Sequence, residues 1–94
     1  MPTLHFHVTG RVQGVWFRGW AQMTALSLGL VGWVKNEPDG SVRGAAQAPQ
    51  GVSPQALESF RLALGQGPEG ARVDSLDARL VEGTELFSGF HVLR

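Results

Sequence analysis

The sequence predicts a two-layer α+β fold in which one sheet carries two helices on a single face. Three observations predict it. Apolar residues alternate with a period of two in several short segments, recur at helical spacing in two others, and these segments follow one another in the order β-α-β-β-α-β. The 94 residues, 43% of them apolar, suffice for one modest core and a single domain spanning 1–94.

Leu4, Phe6 and Val8 alternate with His5 and His7, the pattern of a half-buried strand. Phe17, Trp20, Ala21, Thr24, Ala25 and Leu28 then form one stripe of an amphipathic helix, and Gly29 stands where a left-handed residue would end it. Leu30 to Asn36 reads as a second strand. Glu37-Pro38-Asp39-Gly40 is turn chemistry: proline presets φ, aspartate bonds the backbone nearby, and glycine accepts positive φ. Ser41 to Ala48 returns as a third strand. Ser53-Pro54 has the pattern of an N-cap followed by the first helical residue. Leu57, Phe60 and Leu64 form the buried face of this second helix, and Gly65 is its expected stop. After a loop over 65–70, Leu76, Ala78 and Leu80 alternate as a fourth strand, and Phe90 to Leu93 leaves room for a short fifth.

This is the ferredoxin-like split βαβ arrangement, a mixed, largely antiparallel sheet covered on one face by its helices. Right-handed crossovers make the first two strands parallel, with the third inserted between them. Both parallel strands then point their carboxyl ends at one edge of the sheet. The loop from Gly10 to Arg18 and the turn from Asn36 to Gly40 should meet there, beside the start of the first helix.

Composition excludes several classes of function. Eight basic and eight acidic side chains cancel, so the broad positive field that nucleic acid or an anionic membrane requires is not expected. The chain has no cysteine, which removes disulfides, thiolate nucleophiles and cysteine metal sites. No apolar stretch approaches the roughly 20 residues of a membrane span, and the first residues lack a leader's basic and apolar regions. A cytoplasmic monomer, without nucleic-acid or membrane partners, is expected.

The informative segment is Thr9-Gly10-Arg11-Val12-Gln13-Gly14-Val15-Trp16-Phe17-Arg18. It joins a strand to a helix, and its two glycines let successive N–H groups curl into an anion nest. The helix start adds unsatisfied donors and a positive dipole end, and Arg18 brings a planar fork that matches phosphate oxygens. A basic residue in the first turn opposes the dipole, a conflict that a bound anion would remove. The residues alone leave two readings open, an anion nest or a plain tight connection with Arg18 solvated or paired to an acid. No Gly-Lys-Ser or Gly-Lys-Thr follows, so a nucleotide P-loop is not indicated.

Gly10-Arg11-Val12-Gln13-Gly14-Val15-Trp16-Phe17-Arg18 resembles the signature of the acylphosphatases. Gly29-Leu30-Val31-Gly32-Trp33-Val34-Lys35-Asn36-Glu37-Pro38-Asp39-Gly40-Ser41-Val42 resembles the second block of that family. Gly67-Pro68 with Ala71 and Val73, and the closing Phe90-His91-Val92, extend the similarity over nearly the whole chain. The resemblance implies hydrolysis of an acyl phosphate to a carboxylate and inorganic phosphate, with no metal and no cofactor. Sulfate would serve as an analogue of the product. It further implies that Arg18 binds the phosphate together with the amides of Gly10, Arg11, Val12, Gln13, Gly14 and Val15, while Asn36 positions the attacking water. Read without the family, Asn36 is more readily a turn-starting residue whose side chain bonds the backbone ahead of Pro38.

Two other functions share this element order. A non-catalytic module for phosphate or carbamoyl phosphate would keep the loop without turnover. An RNA-recognition module would need aromatic residues on its central strands, and Ser41 to Ala48 has none. His5, His7 and His91 are expected in solvent, Trp16, Trp20 and Trp33 in packing or rim positions, and Asp74, Asp77, Glu82 and Glu85 on a solvated face.

Overall fold

A computed structural model of the chain describes residues 1–83 and 85–94. Five strands and two helices occur in the order β1 (Pro2–Arg11), α1 (Phe17–Ser27), β2 (Val31–Asn36), β3 (Val42–Gln47), α2 (Gln55–Gln66), β4 (Arg72–Glu82) and β5 (Phe90–Leu93). They build one sheet of order β4-β1-β3-β2-β5. β3 lies antiparallel between β1 and β2, β4 pairs antiparallel with β1, and β5 pairs parallel with β2. β1 and β2 therefore run in the same direction, the arrangement that handedness requires.

The inward residues of β1, Leu4, Phe6 and Val8, are buried against Phe17, Ala21 and Ala25 of α1 and Leu57, Phe60 and Leu64 of α2. Phe60 stands edge-on to both Phe6 and Phe90, with ring centroids 5.6 and 6.0 Å apart, and so ties α2 to both halves of the sheet. α1 stops where Gly29 turns to φ 77°. The Leu30 amide then donates to Ala25 O at 2.9 Å and the Gly29 amide to Leu26 O at 3.0 Å, a Schellman closure that feeds directly into β2.

α2 departs from expectation at its end. The helix runs through Gly65 to Gln66, and the residue that ends it is Gly67, at φ 73° with its amide on Ala63 O. Of the two glycines, only Gly67 takes the positive φ that leaves the helix, and Gly65 stays helical. The start is as read: Ser53 Oγ accepts from the Gln55 amide at 3.2 Å, and Pro54 already has helical angles. β4 also differs at one end. Leu76 and Ala78 pack against the core, but Leu80 is exposed on this edge strand. No helix among the described residues is long and apolar enough to cross a membrane.

One buried polar side chain fastens the far edge. Gln47, 1% exposed, donates from Nε2 to Thr3 Oγ1 at 2.9 Å and Glu85 O at 2.6 Å, and its Oε1 accepts from the Phe87 amide at 3.1 Å. Gln47→Leu keeps the volume but strands these groups. The expected cost is about 2 kcal/mol, a fall in Tm on the order of 10 °C, read by thermal denaturation.

Candidate functional site

The carboxyl ends of β1 and β2 share one edge of the sheet, and the segments leaving them are joined there. Val12, 1% exposed, plugs the start of the β1–α1 loop into the core. The next residue reaches across: Gln13 Nε2 donates to Glu37 O at 2.8 Å and to Ser41 O at 3.0 Å. The loop is thus clamped to both limbs of the β2–β3 turn. That turn is closed by the Glu37 amide on Ser41 O at 2.9 Å and the Gly40 amide on Glu37 O at 3.1 Å. Asp39 Oδ1 accepts from the Ser41 hydroxyl at 2.5 Å and from the Ser41 amide at 2.9 Å. These bonds, the hydroxyl's first, hold the Asp39 carboxyl below its ordinary pKa.

Gly10 and Arg11 stand apart from the rest of the expected anion loop. Both extend the β1–β4 pairing, opposite Val73 and Arg72, after a bulge between Thr9 and Gly10. A Cβ at Gly10 would lie 2.1 Å from Arg72 O, so this glycine permits a close approach of strands. The segment that leaves the sheet is Val12 to Trp16.

Trp16 precedes α1 in the left-handed region, at φ 64° and ψ 27°, and no side chain of a described residue caps the helix. There is no acidic residue in its first turn. The main-chain N–H groups from Gln13 to Gly19 donate to no described residue, the first bond of the helix being Trp20 N to Trp16 O at 3.0 Å. A run of amides without a described acceptor therefore lies at the positive end of the helix dipole, the kind of place where anions bind. Arg18 is half-buried beside them. Its Nη1 donates to Leu93 O of β5 at 3.0 Å, and no described acidic side chain pairs with it.

These groups line a cleft of about 320 Å³ that includes Gln13, Gly14, Trp16, Arg18, Asn36 and Val92. Asn36 ends β2 opposite Val42, and its Oδ1 is buried with no hydrogen-bond partner among the described residues. An orphaned acceptor of this kind is costly unless something else satisfies it. A larger depression, about 420 Å³, lies on the uncovered face of the sheet between His5, His7, Trp33, Arg43 and Arg79. It has no helix terminus, and its arginines already face acids, Arg43 with Glu37 at 3.4 Å and Arg79 with Asp77 at 3.6 Å. The smaller cleft holds the unsatisfied donors and acceptor. Among the described residues, no three of His, Cys, Asp or Glu gather closely enough to hold a metal ion.

Sequence reasoning missed the contribution of β5. The Leu93 carbonyl orients Arg18, and Val92 walls the cleft, because β5 pairs parallel with β2 and brings Leu93 beside Lys35, next to Asn36. Nothing in four residues with one buried position signals that neighbour. Of the other rim candidates, His5 is exposed, Trp20 packs against Phe17 at 5.3 Å, and Trp16 is 61% exposed at the cleft.

The acylphosphatase family model matches residues 4–92. An acylphosphatase of Thermus thermophilus is 47% identical over 92 residues, 98% of this chain and 99% of its own length. One of Salinibacter ruber is 45% identical over 87 residues, 93% of this chain and 87% of its own. Among solved structures, the crystal structure of acylphosphatase from Bacillus subtilis superposes with a TM-score of 0.90 at 35% identity, covering 100% of both chains.

Proposed function

The chain belongs to the acylphosphatase family, whose members are hydrolases, and from that premise we propose that it cleaves acyl phosphates to a carboxylate and inorganic phosphate by direct attack of water. Arg18 and the loop amides grip the phosphoryl group, and Asn36 orients the water. The observation that carries this reading is Asn36 Oδ1, a buried acceptor that no described residue satisfies, on the cleft that also holds Arg18 and the free amides. It can accept one hydrogen of a water but cannot remove a proton.

Phosphoryl transfer asks mainly for positioning and charge stabilisation. In the proposed step the water oxygen bonds to phosphorus as the bond from phosphorus to the acyl oxygen breaks, and the electron pair leaves with the carboxylate. That leaving group has a conjugate acid of pKa about 4 and departs without protonation. The cleft fits such a substrate, because no carboxylate or imidazole lines it. In this reading the water's proton passes to a phosphoryl oxygen of the substrate. An alkoxide leaving group would need a general acid, worth roughly 10²–10⁴ in rate.

Phosphate release should therefore be fast from acetyl phosphate and slower by at least about 10³ in kcat/KM from an alkyl phosphomonoester, with chelator making no difference. Comparable rates on both substrates would overturn the proposal. Binding of phosphate without any release from acetyl phosphate would point instead to a non-catalytic module.

A further inference from the structure

The proposed site grips the phosphoryl group with polar donors, but a different kind of wall stands next to them. Trp16 is 61% exposed and Val92 is 37% exposed, and both line the cleft that holds Arg18 and Asn36. Exposed apolar side chains are common, and Met23, Leu26 and Leu62 are others here. Trp16 differs from them in its backbone. Among the described residues it is the one non-glycine at positive φ, a conformation that a bulky L side chain rarely adopts. Such strain persists only where the surroundings enforce it, and it gathers at ligand-handling positions.

What Trp16 gains is a seat over the helix. A Cβ at Gly19 would lie 2.1 Å from its indole Nε1 and 2.6 Å from Cε2, so the ring lies flat against a helical turn that has room only for glycine. The indole is adjacent in sequence to Phe17 and Arg18, yet it takes no part in the core, unlike Trp20. One ring face is backed by Gly19, and the side chain remains largely open at the cleft.

We propose that Trp16 is the platform for the organic half of the substrate, and that the site selects acyl phosphates with an aromatic or bulky apolar acyl group over small or charged ones. This rests on the acyl phosphate reading above. With the phosphoryl group held by Arg18 and the loop, the carboxyl carbon and its substituent extend past the phosphate, where the indole offers a π face and Val92 an aliphatic edge. Besides Arg18, the cleft lining offers no charged side chain to an ionic acyl group. Stacking on an exposed indole is worth about a tenfold factor in binding.

The test compares kcat/KM for benzoyl phosphate and acetyl phosphate in the wild type, in Trp16→Gly and in Gly19→Ala. Glycine accepts the φ of residue 16 without strain, so the first variant removes the platform while easing the backbone. Alanine suits a helix better than glycine, so the second keeps Trp16 but displaces its ring. The wild type should favour benzoyl phosphate, and in both variants the benzoyl-to-acetyl ratio should fall about tenfold, chiefly through KM for benzoyl phosphate. A purely structural role for Trp16 would lower both substrates together and leave the ratio unchanged in the two variants, which would overturn the inference. Should Trp16→Gly fail to fold, the ratio in Gly19→Ala decides alone. Wild-type failure on both substrates would instead overturn the proposed function itself.

Discussion

Replacing Arg18 with alanine is expected to lower kcat/KM for acetyl phosphate by at least on the order of 10³ while changing stability by no more than about 1 kcal/mol. Loss of a single aimed donor to a phosphoryl or oxyanion group typically costs on the order of 10²–10³, and Arg18 supplies charge as well as donors. The folded state depends little on it. Its one hydrogen bond to a described residue is the exposed contact of Nη1 with Leu93 O, at 3.0 Å. Its positive charge in the first turn of α1 opposes the helix dipole by a few tenths of a kcal/mol, so removing it gives some stability back. Arg18→Lys should recover only a small part of the activity. One ammonium cannot bond the Leu93 carbonyl and also present a fork to two phosphate oxygens. Phosphate-release kinetics beside a urea melt check both halves of the expectation. A variant that lost activity only in proportion to its stability would show Arg18 to be structural.

Much of this was legible because burial here follows short periods. Leu4, Phe6 and Val8, at 4, 2 and 0% exposure, point inward as their alternation requires, and Gly29 closes α1 in the αL conformation foreseen for it. The convergence of the two loops also followed, since handedness alone sends β1 and β2 in the same direction. Less was legible where a choice depended on distant partners. Gly65 and Gly67 are equally good stops in sequence, and the chain leaves the helix at the second, where Gly67 packs near Phe17 and Ala71. Leu80 continues the alternation of β4 but is exposed, because periodicity cannot say how far the helices extend over an edge strand. β5 has too few residues for any period, so its Leu93 carbonyl could not be placed beside Arg18 in advance. Nor could Trp16 be foreseen in the left-handed region, which local propensity opposes. Strain of that kind is visible only once the structure that imposes it is in hand.

The Asn36 side chain presents the reverse balance, a group that the fold tolerates at a cost. Burying its Oδ1 without a partner costs on the order of 1–3 kcal/mol, and no described contact repays it. Asn36→Ala should therefore fold at least as stably as the wild type, with any lost packing offset by removal of the orphaned acceptor. Turnover is expected to fall by about 10²–10³, since the attacking water loses its orientation. The inhibition constant for inorganic phosphate should stay within about twofold, because Arg18 and the loop amides still hold the anion. That split distinguishes a water-positioning group from a binding group, which would weaken phosphate and turnover alike. Asn36→Asp provides the opposing case. A carboxylate there still accepts a hydrogen bond from water but repels a phosphoryl group, so KM should rise where Asn36→Ala leaves it nearly unchanged. If Asn36→Ala instead lost stability and retained its turnover, the side chain would belong to the β2–β3 turn, and the water would need another holder.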